Sequence, residues 1–365
     1  MYAVDEIRTV HLEITTSCNL RCPQCPRNLQ GGRVNPNLPI TQLLIDDIRR
    51  IFPVTFVGQL NFMYMCGTYG DALVARDTLE TFRYFRSANP RMTLRLHTNG
   101  SARSHSWWAE LAGVIDACIF GIDGLADTNH LYRRGSVWDR VIGNATAFIH
   151  AGGRAEWVFL AFRHNEHQIE DARRLSNELG FSKFTVKRTG RFLSNGKINP
   201  KYPVLDQHDR VEYYLEPPIA AALSNAAAVT LESAIHDNDD YLAYLASTDI
   251  DCKAVHEKMI YVTAEGLVFP CCWIGNLYRR PGDRSSFEVE RLLDQLPGRR
   301  AALDAKLHSL AEIISGPFFR DAVPSRWPKE SPERLRICAK TCGTCDVIKG
   351  QYIRPTVNSQ RGSLT

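Results

Sequence analysis

Three cysteines within a short stretch, Cys18, Cys22 and Cys25, form the densest chemistry in this sequence, spaced C-x3-C-x2-C. Thiolates are soft ligands, so three on one loop can hold an iron–sulfur cluster or a zinc ion. Structural zinc takes four ligands and the fourth is missing locally, which leaves one metal position open to a substrate or cofactor. A second set lies far along the chain: Cys252, Cys271, Cys272, Cys338, Cys342 and Cys345, the last three again spaced C-x3-C-x2-C. Four thiolates suit zinc and an iron–sulfur cluster equally well. Cys66 and Cys118 stand apart and read as small apolar fillers. Eleven cysteines in 365 residues, clustered at ligand spacing and without an export signal, argue for metal over disulfides.

The elements that must position these thiols are legible from patterning. Apolar runs at 9–14, 59–65, 92–97, 117–122, 157–162 and 183–187 read as strands. Stretches at 41–52, 76–88, 106–112, 137–151 and 166–179 read as the helices between them. Six β/α repeats imply a parallel sheet, because each parallel crossover needs a helix. Six units are too few for a closed eight-unit barrel, so an open partial barrel is expected. Functional loops of such a sheet leave the C-terminal ends of its strands, which places 18–25 on the functional rim. Further on, 189–203 reads as a linker, 207–215 and 239–246 as helical, and 259–263 with 267–269 as a β-hairpin. The expected division is 1–200 for the partial barrel, 201–250 for a helical linker, 251–348 for a smaller domain and 349–365 for a polar tail.

Each later strand exit carries polar residues. The second has Gly67, Tyr69, Gly70 and Asp71, two glycines that admit a ligand and a carboxylate that also suits a cap. The third has Thr98 and Asn99 before Gly100, by themselves an ordinary turn. The fourth has Asp123, with Arg133 and Arg134 downstream as carboxylate-binding or solvated cations. The fifth has Arg163 and His164 on the rim, then Asn165 and Gln168 as helix-capping residues. The sixth has Lys187, Arg188 and Arg191, suited to an anion or to solvent. A net charge of +4 with no dense basic block gives no sign of nucleic-acid binding. Residues 1–10 carry Asp5, Glu6 and Arg8 and lack the apolar core of a signal peptide. No apolar run approaches the roughly 20 residues that span a bilayer, so a soluble, cytoplasmic protein is expected.

In spacing, in its place after a first strand, and in the β/α series it opens, the Cys18–Cys22–Cys25 loop resembles that of the radical S-adenosylmethionine (radical SAM) enzymes. The resemblance implies that these cysteines hold three irons of a [4Fe–4S] cluster and that S-adenosylmethionine chelates the fourth. It implies reductive cleavage of that cofactor and hydrogen abstraction by a 5′-deoxyadenosyl radical. Gln24 stands where the family often has an aromatic residue beside the adenine, and the stretch ending in Asp71 is similar to a Gly-Glu-Pro-type motif. By the same resemblance Gln24, Gly67, Tyr69, Gly70, Asp71, Thr98, Asn99, Asp123 and Arg163 contact S-adenosylmethionine. The later hairpin and cysteines resemble a SPASM or shortened twitch domain. That implies one auxiliary [4Fe–4S] cluster on Cys252, Cys271, Cys342 and Cys345, with Cys272 and Cys338 as substitutes. The implied fold is α/β, a partial (β/α)6 radical SAM barrel with a small hairpin-and-helix auxiliary domain.

The resemblance further implies modification of a ribosomally made peptide by oxidation, epimerisation or cross-linking. The alternatives are a sugar or aminocyclitol dehydrogenase or epimerase of natural-product biosynthesis, and a non-radical zinc or iron–sulfur protein for binding or electron transfer. The implied partners are an external electron donor of flavodoxin or ferredoxin type and a separate leader-peptide recognition protein. A first strand starting by Thr9 leaves no room for a leader-binding domain before it, which shifts weight toward a small molecule or toward a peptide presented by that separate protein.

Overall fold

The computed structural model describes residues 1–194, 197–225, 229, 233, 237–278 and 287–344. Six parallel strands follow the expected series: β1 (Thr9–Leu12), β2 (Phe62–Met65), β3 (Thr93–Thr98), β4 (Ala117–Gly121), β5 (Ala155–Ala161) and β6 (Lys183–Arg188). The crossovers contain helices Ile45–Ile51, Thr78–Ala88, His105–Ala112, Trp138–His150 and Ile169–Glu178. The sheet has two more strands. β7 (Met259–Val262) pairs parallel with β1, Met259 opposite Thr9 and Val262 opposite Leu12, and β8 (Val268–Phe269) pairs antiparallel with β7. The spatial order is therefore β8-β7-β1-β2-β3-β4-β5-β6. All four residues of β7 are buried, as a parallel strand covered on both faces requires. The hairpin anticipated beside the later cysteines is thus an edge of the main sheet.

Strand period sorts the side chains onto two faces. Val10, Leu12, Met63, Met65, Leu94, Leu96, Phe120, Trp157 and Phe159 are buried in the apolar core. There they meet helix stripes such as Leu79, Phe82 and Phe85 of Thr78–Ala88. The inner face is polar: β1 offers His11, β2 Tyr64, β3 Arg95 and His97, and β6 Lys187. Cys118 is buried in the core as a filler, whereas Cys66 is half-buried at the exit of β2.

One local expectation is overturned. Residues 207–215 do not form a helix: Val211–Leu215 is a strand, antiparallel to Tyr202–Leu205. Asp206 accepts from the His208 and Arg210 amides, and Asp209 has φ 63°, so a turn interrupts any helix there. The β-branched and aromatic run Val211-Glu212-Tyr213-Tyr214-Leu215 then takes the strand it favours. The segment 189–203 contains a small paired ladder, Leu193–Ser194 with Lys197–Ile198. Among the described residues no helix is long and apolar enough to cross a membrane.

Candidate functional site

The loop after β1 is braced before its first cysteine. The Thr16 hydroxyl donates to the Pro39 carbonyl at 2.7 Å, its amide to the Thr41 carbonyl at 3.0 Å, and the buried Arg27 guanidinium to the Thr16 carbonyl at 3.1 Å. Cys18, Cys22 and Cys25 are half-buried, and none is in a disulfide. Burial, then the charge of Asp71, push the Cys18 thiol well up. Burial pushes Cys22 up to about 11, against the pull of Arg133. Polar hydrogens converge on both sulfurs. The Asn99 side-chain amide lies 3.7 Å from Cys18 Sγ, the Leu20 amide 3.4 Å from the same atom, and Arg133 Nη1 4.0 Å from Cys22 Sγ. Donors and a cation aimed at sulfur favour the thiolate, which is the ligating form.

Arg133 is held by a buried partner. Its Nε donates to Asp123 at 2.6 Å, and the other Asp123 oxygen accepts from the Leu160 amide at 2.6 Å. Gly121 makes room for this cation, since a Cβ there would stand 2.2 Å from Arg133 Nη2. A second guanidinium, Arg191, donates to the Gln24 carbonyl at 3.4 Å and lies 3.3 Å from the Tyr132 hydroxyl. Gln24 itself is 6% exposed, and neither polar atom of its side chain has a partner among the described residues. Unmet buried amide atoms are costly, so this side chain is one that a polar partner would satisfy.

The loop after β2 is fixed from β1 by Glu13, a residue outside every motif of the sequence. Glu13 Oε1 accepts from the Tyr69 amide at 2.6 Å and the Gly70 amide at 2.9 Å, and Oε2 accepts from the Tyr261 hydroxyl. Burial pushes the Glu13 carboxyl up to about 7, partly offset by these donors. The two glycines answer to backbone contact. A Cβ on Gly67 would lie 1.8 Å from the Gly70 carbonyl oxygen, and one on Gly70 1.9 Å from that of Thr15. The loop is therefore pressed onto the base of the cysteine loop, where the Asp71 amide donates to the Ser17 carbonyl at 2.8 Å. Tyr69 turns away, its hydroxyl donating to Asn276 and accepting from the Tyr278 amide at 3.0 Å.

Other expected contacts are already engaged. Asp71 caps a short 3-10 turn through the Leu73 amide, and accepts from the Thr98 hydroxyl at 2.9 Å and the Asn99 amide at 2.8 Å. It ties the second strand exit to the third. Arg163 is exposed and pairs with Glu216. Arg134 donates to the Leu205 carbonyl at 2.6 Å and pairs with Glu212, bracing the Tyr202–Leu215 hairpin. Asn165 and Gln168 do not cap the following helix by their side chains. Asn165 donates to the Asp123 carbonyl at 2.9 Å and Gln168 accepts from the Leu125 amide at 3.0 Å, binding the fifth exit to the fourth.

The later cysteines gather from three segments. Asp249–Ile250 pairs antiparallel with Gly343–Thr344, which brings Cys252, just after one strand, beside Cys342, just before the other. The Cys252 thiol and the Cys342 sulfur are within hydrogen-bonding reach, which raises the pKa of the first and lowers that of the second. Cys271, at the end of the hairpin, lies within electrostatic reach of both. Cys338 is buried on the helix Arg336–Cys342, and Cys272 faces Cys66 electrostatically. Cys345 lies outside the described residues, as does the tail 349–365.

Among the described residues, no three His, Cys, Asp or Glu side chains are grouped to hold a single metal ion. A cubic cluster takes its thiolates at separate corners, so it asks for wider spacing than one ion does. Three reduced cysteines, with donors at Cys18 and a cation at Cys22, suit such a cluster.

A scan against protein-family models gives no match, and a search of curated protein sequences gives none. Solved structures do match. One is polyhistidine-tagged anSMEcpe with bound AdoMet, at TM-score 0.54 and 13% identity, covering 95% of this chain and 90% of that one. Another is native anSMEcpe with AdoMet and the Cp18Cys peptide, at TM-score 0.52 and 13% identity, covering 94% and 93%. SuiB of Streptococcus suis matches at TM-score 0.47 and 15% identity, with 77% of this chain covering 62% of that one, less than two thirds of its length. The first two share the α/β fold of this chain, with its mostly parallel sheet of eight strands.

Proposed function

We propose that this chain is a radical SAM enzyme in which Cys18, Cys22 and Cys25 hold three irons of a [4Fe–4S] cluster and S-adenosylmethionine completes the fourth. The observation that carries this reading is the meeting of three reduced cysteines on one strand-exit loop with Asn99 directed at Cys18 and Arg133 at Cys22. When bound, the cluster supplies the electron that splits S-adenosylmethionine reductively, so that a 5′-deoxyadenosyl radical takes a hydrogen atom from the substrate.

The chain's own residues supply position and polarity. Arg133, anchored on Asp123, places a positive charge at Cys22 and offsets the negative charge that three thiolates bring. Glu13 and Asp71 hold the loop at 67–71 against the cysteine loop, where its backbone meets the cofactor. The Gln24 amide, without a partner among the described residues, gives S-adenosylmethionine a polar contact in place of the usual aromatic one. Asp123 acts through Arg133, and Arg163 reaches the cofactor only by leaving Glu216.

Cys252, Cys271 and Cys342, joined by Cys345, hold one auxiliary [4Fe–4S] cluster of the twitch type, and Cys272 and Cys338 are spare. The substrate is a peptide: anSMEcpe, which shares the fold, is seen with a peptide bound. An external electron donor of flavodoxin or ferredoxin type serves the first cluster. Anaerobic reconstitution tests the whole reading. The expected result is about eight irons per chain for two four-iron clusters, and release of 5′-deoxyadenosine on reduction with S-adenosylmethionine. Zinc without iron in anaerobically purified protein overturns it.

A further inference from the structure

The inner face of the sheet carries charge that neither cysteine site uses. Register sets Tyr261, His11, Tyr64 and Arg95 side by side on β7, β1, β2 and β3. His97 follows Arg95 by two residues on the same face, and Lys187 shares a face with Leu160 across β5 and β6. His11 is 4% exposed, stacked on Tyr64 at 4.5 Å and tilted against Tyr261 at 4.7 Å. Burial pushes its pKa down to about 4, so the ring is neutral. Its Nε2 bonds to the Cys66 carbonyl oxygen and so carries the hydrogen. Nδ1 is then a bare lone pair, buried and without a partner among the described residues.

The cations beside it are also unanswered. Arg95 lies 5.8 Å over the Phe62 ring, its Nε is buried without a partner, and among the described residues no carboxylate pairs with it or with Lys187. The carboxylates near this face are taken: Asp123 holds Arg133, and Glu257 pairs with Lys253 at 3.5 Å. Glu13 holds the loop at 67–71, and Glu156 faces Arg154 at 3.9 Å. Burial, together with Lys187, His11 and Arg95, holds His97 down to about 3, so it adds a neutral ring. Unpaired cations beside a bare acceptor and aromatic walls describe a receptor for a guest with an anion, an N–H and an apolar body.

We propose that this face binds an acylated α-amino carboxylate, the chemistry of a peptide C-terminus or a free N-acyl amino acid. Arg95 and Lys187 take the carboxylate, His11 Nδ1 accepts the adjacent N–H, and Phe62 and Tyr64 pack on the side chain. What is done to that guest rests on the radical reading above, but its binding does not.

The test uses the full reconstituted chain, titrated calorimetrically with N-acetylphenylalanine, its carboxamide, a pentapeptide ending in free phenylalanine, and inorganic phosphate. The acid is expected to bind at least about tenfold tighter than the carboxamide. Arg95→Gln and the exposed Lys187→Gln are each expected to abolish that preference at unchanged Tm. A pentapeptide binding tighter than the acetylated amino acid assigns the site to a chain end, and the reverse assigns it to a free amino acid; either supports the proposal. Equal binding of acid and carboxamide overturns it. So does phosphate binding as tightly as the acid, or displacement of the acid by S-adenosylmethionine. Failure of the radical reading registers separately, as absence of 5′-deoxyadenosine with acid binding intact.

Discussion

The two thiol sites of this chain are built in opposite ways. Cys18, Cys22 and Cys25 sit on one loop, and their framing comes from neighbouring strand exits: Asn99 from the third, Arg133 and Asp123 from the fourth. Cys252, Cys271 and Cys342 are far apart in sequence and meet because a two-residue ladder and a hairpin carry them together. The first set loses little chain entropy on assembly, whereas the second needs long loops closed before its sulfurs meet. The regions are nonetheless bonded. Glu13 reaches Tyr261 on the hairpin, and Tyr69 reaches Asn276 and Tyr278 beyond it. A local site braced by the barrel should fail alone when it loses a ligand, and a composite site should lose its segments' register as well.

Substitution at the first site should have the largest effect. Cys22→Ala is expected to cut the iron content by about half and to abolish 5′-deoxyadenosine release, measured anaerobically with dithionite. Cys342→Ala should remove a similar share of iron while leaving 5′-deoxyadenosine release in place and stopping product formation. If it silences both sites, the division between them is wrong. Arg133→Met tests the bracing: it strands the fully buried Asp123 and should cost about 3–5 kcal/mol by urea unfolding. Wild-type stability in that variant would remove Arg133 from the frame.

The smallest effect concerns the tie between the regions. Glu13 has its folded pKa raised to about 7, chiefly by burial. A raised value means stability that is present below the unfolded pKa of 4.5 and lost as pH rises through 7. The loss should amount to about 3 kcal/mol. Glu13→Gln keeps an acceptor for the Tyr69 and Gly70 amides and should flatten that slope. An unchanged slope between pH 5 and 8 would show that the carboxylate is not the group responsible.

Much of this architecture is legible in the chain alone. Six alternating apolar runs announce the parallel series, and the C-x3-C-x2-C spacing picks out the rim loop, because strand period and ligand spacing are local properties. The region 207–215 misleads because an apolar spacing compatible with a helix also fits a strand, and the turn at 206–210 decides between them through Asp206. Asn165 and Gln168 have the residue types and spacing of caps, yet each also bonds into the loop after β4, 42 and 43 residues away. Glu13 offers one faint signal, its place two residues after His11 on the same strand face.

By itself the sequence determined the α/β series, the thiol loop and the set of rim residues, since those depend on neighbours a few positions apart. Only the tertiary structure decided that β7 and β8 extend the main sheet, that Asp71 and Asp123 are spent on bracing, and that Arg95 and Lys187 meet no carboxylate among the described residues. Each of those is a question of which distant group satisfies a buried donor, acceptor or charge, and chain order does not carry that answer.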